Sequence, residues 1–159
     1  MATVVRAGFD DLIKEFNQIA DHSGAMASQA VYAGAGLLAD KLRASVESLV
    51  TEDVRKHRGK ALLPYEKEAL ERGLTVERFI HDKGRDYTQT AITFHGKTDH
   101  RTSSYPDGVP TILLARSINA GTTFRSANRY FINTVNRNRK NVETAMVEAA
   151  EKELKKYVK

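Results

Sequence analysis

"YTQTAITFHG", residues 87–96, is where the repeat of the chain changes. Thr88, Thr90, Ile92 and Phe94 alternate with Tyr87, Gln89, Ala91 and Thr93, the two-residue period of a strand with one covered face. Helical spacing dominates on either side of it. The segment therefore makes the chain α+β.

Toward the N-terminus, "TVERFIHDKG" (75–84) predicts a further short turn or helix. In "LPYEKEALERG" (63–73), Pro64 stands near a first helical position, acids follow in the first turn, and Gly73 stands just past the end. "VRKHRGK" (54–60) is a basic, polar connection. A long helix from about Ala25 to Val50 carries the stripe Ala27, Ala30, Val31, Gly34, Leu38, Leu42 and Leu49. Its small residues Ala30, Ala33, Gly34 and Gly36 imply close approach of another backbone, since glycine inside a helix otherwise costs about 1 kcal/mol against alanine. Before it, Phe9, Leu12, Ile13, Phe16, Ile19 and Ala20 mark a first amphipathic stripe with Asp10 and Asp11 in its opening turn. "DHSG" (21–24) predicts a break between the two, with Ser23 capping the second helix.

Toward the C-terminus, "YPDGVP" (105–110) is turn chemistry, and the polar stretch before it has room for a partner strand. "TILLARSINAG" (111–121) fits a short buried helix stopped by Gly121, or a strand; the helix is the favoured reading. A last helix spans about Asn128 to Tyr157, with Phe131, Val135, Val142, Met146, Ala149 and Leu154 inward. Glu143 and Glu148 precede Lys152, Lys155 and Lys156, the order the helix dipole prefers. The expected architecture over residues 1–159 is a single α+β domain, with long N-terminal and C-terminal helices packed on a small antiparallel sheet.

At 159 residues, 41% of them hydrophobic and 28% charged, the chain is long enough to bury a core. It has no cysteine, so disulfides, thiolate catalysis and Cys-based metal sites are excluded, and a reducing compartment fits. "MATVVRAGFDD" lacks the basic-then-apolar pattern of a signal peptide. The longest uncharged run, "SGAMASQAVYAGAGLLA" (23–39), falls short of the roughly 20 apolar residues a membrane span needs. The expectation is no membrane contact. The net charge of +5 permits anionic partners without naming one.

Sites for chemistry are sparse. "GAGLLA" (34–39) matches a dinucleotide-binding fingerprint in letters, but the residues before it have helical spacing, so close packing is the expected role and no cofactor is expected. His95, Asp99 and His100 share a loop, where metal ligation would lack rigid support, and no metal is expected. No serine stands in a nucleophile elbow, and no carboxylates pair on the strand. The expectation is no catalytic residue and no enzyme. The strongest chemical signal is "ARSINAGTTFRSANRYFINTVNRNRKN" (115–141), inside a stretch from Gly108 to Val142 that holds no acid. Its cations suit phosphates, and Tyr130 and Phe131 could stack bases, although Phe131 also fits the apolar face. Arg125, Arg129, Arg137, Arg139 and Lys140 do not fall on one helical stripe.

The order of these pieces resembles the neck and tail-completion proteins of tailed bacteriophages, also described as head–tail joining or minor tail proteins. A long N-terminal helical region, a central β segment, an "A-x-x-x-E-x-G-T" stretch and an aromatic entry into a long last helix make up the likeness. Ala115, Gly121 and Thr122 hold the family's places, and Phe131 holds its aromatic. "VYAGAGLLADKLRASV" (31–46), "LPYEKEALERG" and "YPDGVP" are similar too. Asn119 stands where glutamate is common, Tyr130 where proline usually sits, and a "P-x-D-T-G" after the second helix is missing. The resemblance implies a non-catalytic virion protein of a phage or prophage, assembled in the host cytoplasm. Its implied partners are the head connector and tail-tube or tail-terminator proteins, within a homo-oligomeric ring, typically hexameric, through which DNA passes. Interface or DNA-lumen candidates on this reading are Asn119, Gly121, Thr122, Arg125, Arg129, Arg137, Arg139 and Lys140. A basic nucleic-acid-binding module with salt-dependent, sequence-independent contact is the alternative.

Overall fold

The computed structural model describes residues 4–78, 80–82 and 87–157, with side chains from residue 17 onward apart from residues 18, 81, 82 and 87. Four helices and four short strands follow in the order α1 (Val4–Glu47), α2 (Pro64–Gly73), β1 (Leu74–Val76), β2 (Ile80–Asp82), β3 (Tyr87–Gln89), β4 (Ile92–Phe94), α3 (Thr111–Ala120) and α4 (Tyr130–Leu154). The fold is α+β, as the change of period implied.

The expected break at "DHSG" is absent: α1 runs through it. Ser23 Oγ donates back to the Ala20 carbonyl at 2.9 Å and Ser28 Oγ to that of Gly24 at 2.8 Å, so both hydroxyls bond within the helix instead of capping a new one. His22, inside the supposed break, stacks on Tyr157 at 4.0 Å between ring centroids. Packing against α4 thus overrides the local stop signal. The two helices run antiparallel, with Gly34 against Val142 and Met146. A Cβ at Gly34 would stand 2.6 Å from Met146 Cγ, so this glycine does admit a close neighbour. Gly36 does not; nothing lies within 4 Å of the same position there. Ala27, expected inside, is exposed, whereas Leu42 and Val46 are fully buried. The expected inward residues Phe9, Leu12, Ile13 and Phe16 have side chains outside the described set.

The partner of the 87–94 strand lies upstream, in the stretch read as turn or helix. β1 pairs antiparallel with β4 in the register Leu74↔Phe94, Thr75↔Thr93, Val76↔Ile92. β2 pairs with β3 as Ile80↔Gln89, His81↔Thr88, Asp82↔Tyr87. The two pairs are separate two-stranded ladders, and between them the Glu77 N–H donates to the Ala91 carbonyl at 2.8 Å. Thr90 Oγ1 donates to the Glu77 carbonyl at 2.7 Å. β-branched Thr75, Val76 and Ile92 suit the paired backbone, and Leu74 and Phe94 turn into the core.

That core gathers Leu42, Val46, Leu49, Leu62, Leu70, Phe94, Leu114 and Ile118 from α1, α2, β4, α3 and the connection after α1. Each fully buried aliphatic side chain contributes about 1.5–3 kcal/mol. Gly73 lets α2 meet the end of β4, since a Cβ there would stand 2.6 Å from the His95 carbonyl oxygen. Among the described residues no helix is long and apolar enough to cross a membrane.

Candidate functional site

The structurally decisive group is a carboxylate. Glu66 occupies the third position of α2, after Pro64, and its Oε2 accepts the Leu63 N–H at 2.9 Å, so the side chain caps its own helix. It is also 98% removed from solvent, with only 2% exposure. Arg125 reaches it from the turn between α3 and α4, Nη2 donating to Oε1 at 2.8 Å and to Oε2 at 2.6 Å. Arg55, from the basic connection, meets Oε1 as well. One buried carboxylate therefore faces two guanidiniums, one buried and one half-exposed. A pair this dehydrated persists only while both partners are present.

This pair anchors the turn over residues 121–127. Gly121 takes φ 81°, and a Cβ on it would stand 2.8 Å from the Ala127 nitrogen, so a side chain is excluded there. Thr122 and Arg125 exchange backbone hydrogen bonds at 2.8 and 3.3 Å, and Thr122 Oγ1 accepts the Phe124 N–H. Arg58 N–H donates to the Phe124 carbonyl at 2.9 Å, and Ser126 Oγ donates to the Arg58 carbonyl at 2.7 Å. The result holds Phe124 68% exposed, edge-on to His57, on a backbone fixed from beneath. Asn119 Oδ1 then accepts the Ile132 N–H at 3.4 Å, and its carbonyl accepts the Arg129 N–H at 3.1 Å. Asn119 thus starts α4 from outside, while Arg129 enters it at φ 57°.

The expected candidates divide accordingly. Asn119, Gly121 and Thr122 build the turn. Arg125 is corrected: it lies in the core at 4% exposure, not on a surface that meets DNA or a partner. Tyr130 is corrected as well. At 4% exposure it cannot stack a base, and its hydroxyl is buried with no hydrogen-bond partner. Burial pushes that phenol far above its usual range. Arg139 is exposed but bonded to Glu143 at 2.9 Å, one turn along. Arg129, Arg137 and Lys140 are exposed and have no carboxylate partner among the described residues. With Asn133 they follow at steps of four, four and three, so the remaining cations do form one stripe on the solvent face of α4.

Two grooves lie against α3. One, about 280 Å³, lies among β4, α3 and the start of α4, with Ile92, Ile112, Phe131 and Tyr130 in its walls. The larger, about 560 Å³, opens beside the Glu66 cluster between α2, the 98–109 loop and α3. Tyr65 and His100 stack in its wall at 5.4 Å, and Arg55 lies at its polar end. Burial and then the Glu66 charge raise the Tyr65 phenol above its ordinary value. His100 thus belongs to this groove, and His95 meets Glu77 instead, so the loop trio does not converge. Among the described residues no three His, Cys, Asp or Glu side chains gather as ligands. The glycines of "GAGLLA" lie in the middle of α1, where backbone N–H groups serve the helix.

Glu66 and Tyr65 escaped the sequence reading because "PYEKEALERG" looks like a solvated amphipathic helix, and Arg55 because "VRKHRGK" looks like a solvated connection. Only the acid three residues after Leu63 signals a cap. Compared with family models, with curated proteins and with solved structures, the chain matches none.

Proposed function

We propose that this chain is a structural, non-catalytic assembly subunit of a tailed phage or prophage, part of the head–tail neck or completing the tail. Copies close into a ring, hexameric by the resemblance, between head-connector and tail-tube or tail-terminator proteins, in the virion built in the host cytoplasm. The observations that carry this reading are the ion-pair-anchored turn, which presents exposed Phe124, and the exposed Arg129–Arg137–Lys140 stripe of α4. A ring repeats one heterologous contact until it closes, and that asks each subunit for rigid, chemically distinct outer faces. Exposed Ile112, Ile132 and Val147 add apolar surface to α3 and α4. An unpaired cationic stripe facing a DNA conduit gives loose, sequence-independent contact that permits passage.

The second reading, a basic nucleic-acid-binding module, draws on the same stripe. Protein sequencing of purified tailed particles from the replicon that encodes the chain separates the two. The assembly reading expects the protein in intact particles at a fixed ring-sized copy number. Its absence from particles, together with a discrete, salt-sensitive complex on duplex DNA, supports the module instead.

A further inference from the structure

The larger groove is open, part apolar and part charged. At its polar end the half-exposed Arg55 shares the single Glu66 carboxylate with Arg125, which is buried behind it and does not line the groove. Val109 and Leu113 in the facing wall come from the acid-free stretch that begins at Gly108, and His100 and Tyr105 from the loop before it, which holds Asp99 and Asp107. The apolar surface of that wall is uncovered: Leu113 is 39% and Tyr105 38% exposed, beside Val109 and the Tyr65–His100 stack. Such a groove selects a carboxylate flanked by apolar side chains. The chain contains that chemistry in "GFDDLI" (8–13), two adjacent acids between Phe9 and Leu12–Ile13 with no base among them.

That segment cannot reach the groove of its own chain. Lys67 of α2 donates to the Glu47 and Leu49 carbonyls, which places the groove at the C-terminal end of α1. Residue 11 is 36 residues back along the same helix, about 54 Å at the α-helical rise. At the other end, the last described residue of the chain, Tyr157, stacks on His22. Residues 4–21 of α1 therefore run about 27 Å past that contact.

We infer that the 8–13 segment of one copy docks in the Arg55–Tyr65–His100 groove of the next, Asp10 or Asp11 on Arg55 and the flanking apolar residues on Leu113 and Val109. Groove and segment sit at opposite ends of the molecule, so the contact is head-to-tail and repeats from copy to copy. It names the ring-forming interface of the proposed assembly role and rests on that reading. Its own test needs no phage.

A fluorescent peptide of residues 1–16 is titrated with the full-length protein by anisotropy. The expected result is saturable binding that weakens about tenfold or more with Arg55→Glu. The peptide carrying Asp10→Lys and Asp11→Lys fails on wild type and recovers on Arg55→Glu. Leu113→Glu, on the exposed rim away from the buried pair, weakens binding equally and guards against a fold defect in the first variant. No binding up to millimolar peptide, equal binding by Arg55→Glu and wild type, or displacement of the peptide by a short DNA duplex overturns the inference. Any of these leaves the particle-composition result free to stand or fall separately.

Discussion

Replacing Arg125 with methionine removes one of the two guanidiniums on Glu66 while keeping an apolar stem of similar reach. The carboxylate retains Arg55 and the Leu63 N–H, so it is not stripped of partners. Breaking a buried pair by losing one member costs about 3–5 kcal/mol, and the half-exposed Arg55 places this case near the lower end, about 3 kcal/mol. With a urea slope of about 2 kcal/mol/M, the unfolding midpoint falls by about 1.5 M. Arg125→Met combined with Glu66→Gln removes the buried charge as well and recovers about 2 kcal/mol of that loss, a coupling expected only for residues in direct contact. Equilibrium urea denaturation of the wild type, both single variants and the double variant measures it. A loss under about 1 kcal/mol, or single effects that simply add, refutes the argument that this pair anchors the turn.

Tyr130→Phe deletes a buried hydroxyl without a partner and stabilises the isolated protein by about 1 kcal/mol, read by urea or thermal unfolding. Because burial raises the folded phenol, the contribution of wild-type Tyr130 is complete below the unfolded value near pH 10 and declines above it by about 1.4 kcal/mol per pH unit. The phenylalanine variant loses that alkaline slope. Gly36→Ala, with no atom near the new methyl, raises the melting temperature by about 2 °C, whereas Gly34→Ala gains less because Met146 must move. In duplex-binding assays, Arg137→Gln or Lys140→Gln each lowers the salt slope by about 0.9, and Arg139→Gln lowers it less because Glu143 already neutralises Arg139.

The hairpin was half legible. Alternation through Ile92 and Phe94 marks one strand, but its partner, Leu74–Val76, is three residues long and is followed by the charged Glu77 and Arg78, so no period survives to be read. α2, α3 and α4 carry their own signals: Pro64 at a start, Gly121 at a stop, and an apolar face through Val142 and Met146. The continuity of α1 was hidden because "DHSG" is a stop signal locally, and only the face of α4, over a hundred residues away, decides against it. The site was harder to read. Arg125 and Glu66 are 59 residues apart, and each alone resembles a solvated charge. Removing Arg125 and Arg139 from the cationic set is what turns a scattered list into a stripe, and both removals depend on which carboxylate each guanidinium meets.

In-vitro complementation tests the assembly role most directly. On the proposed reading, a stop codon in this reading frame leaves DNA-filled heads and separate tails. Adding the purified protein to that lysate is then expected to restore joined, infectious particles, and protein carrying Leu113→Glu is expected to restore few. Normal joined particles from the mutant, or a lysate that the wild-type protein does not rescue, contradicts the account.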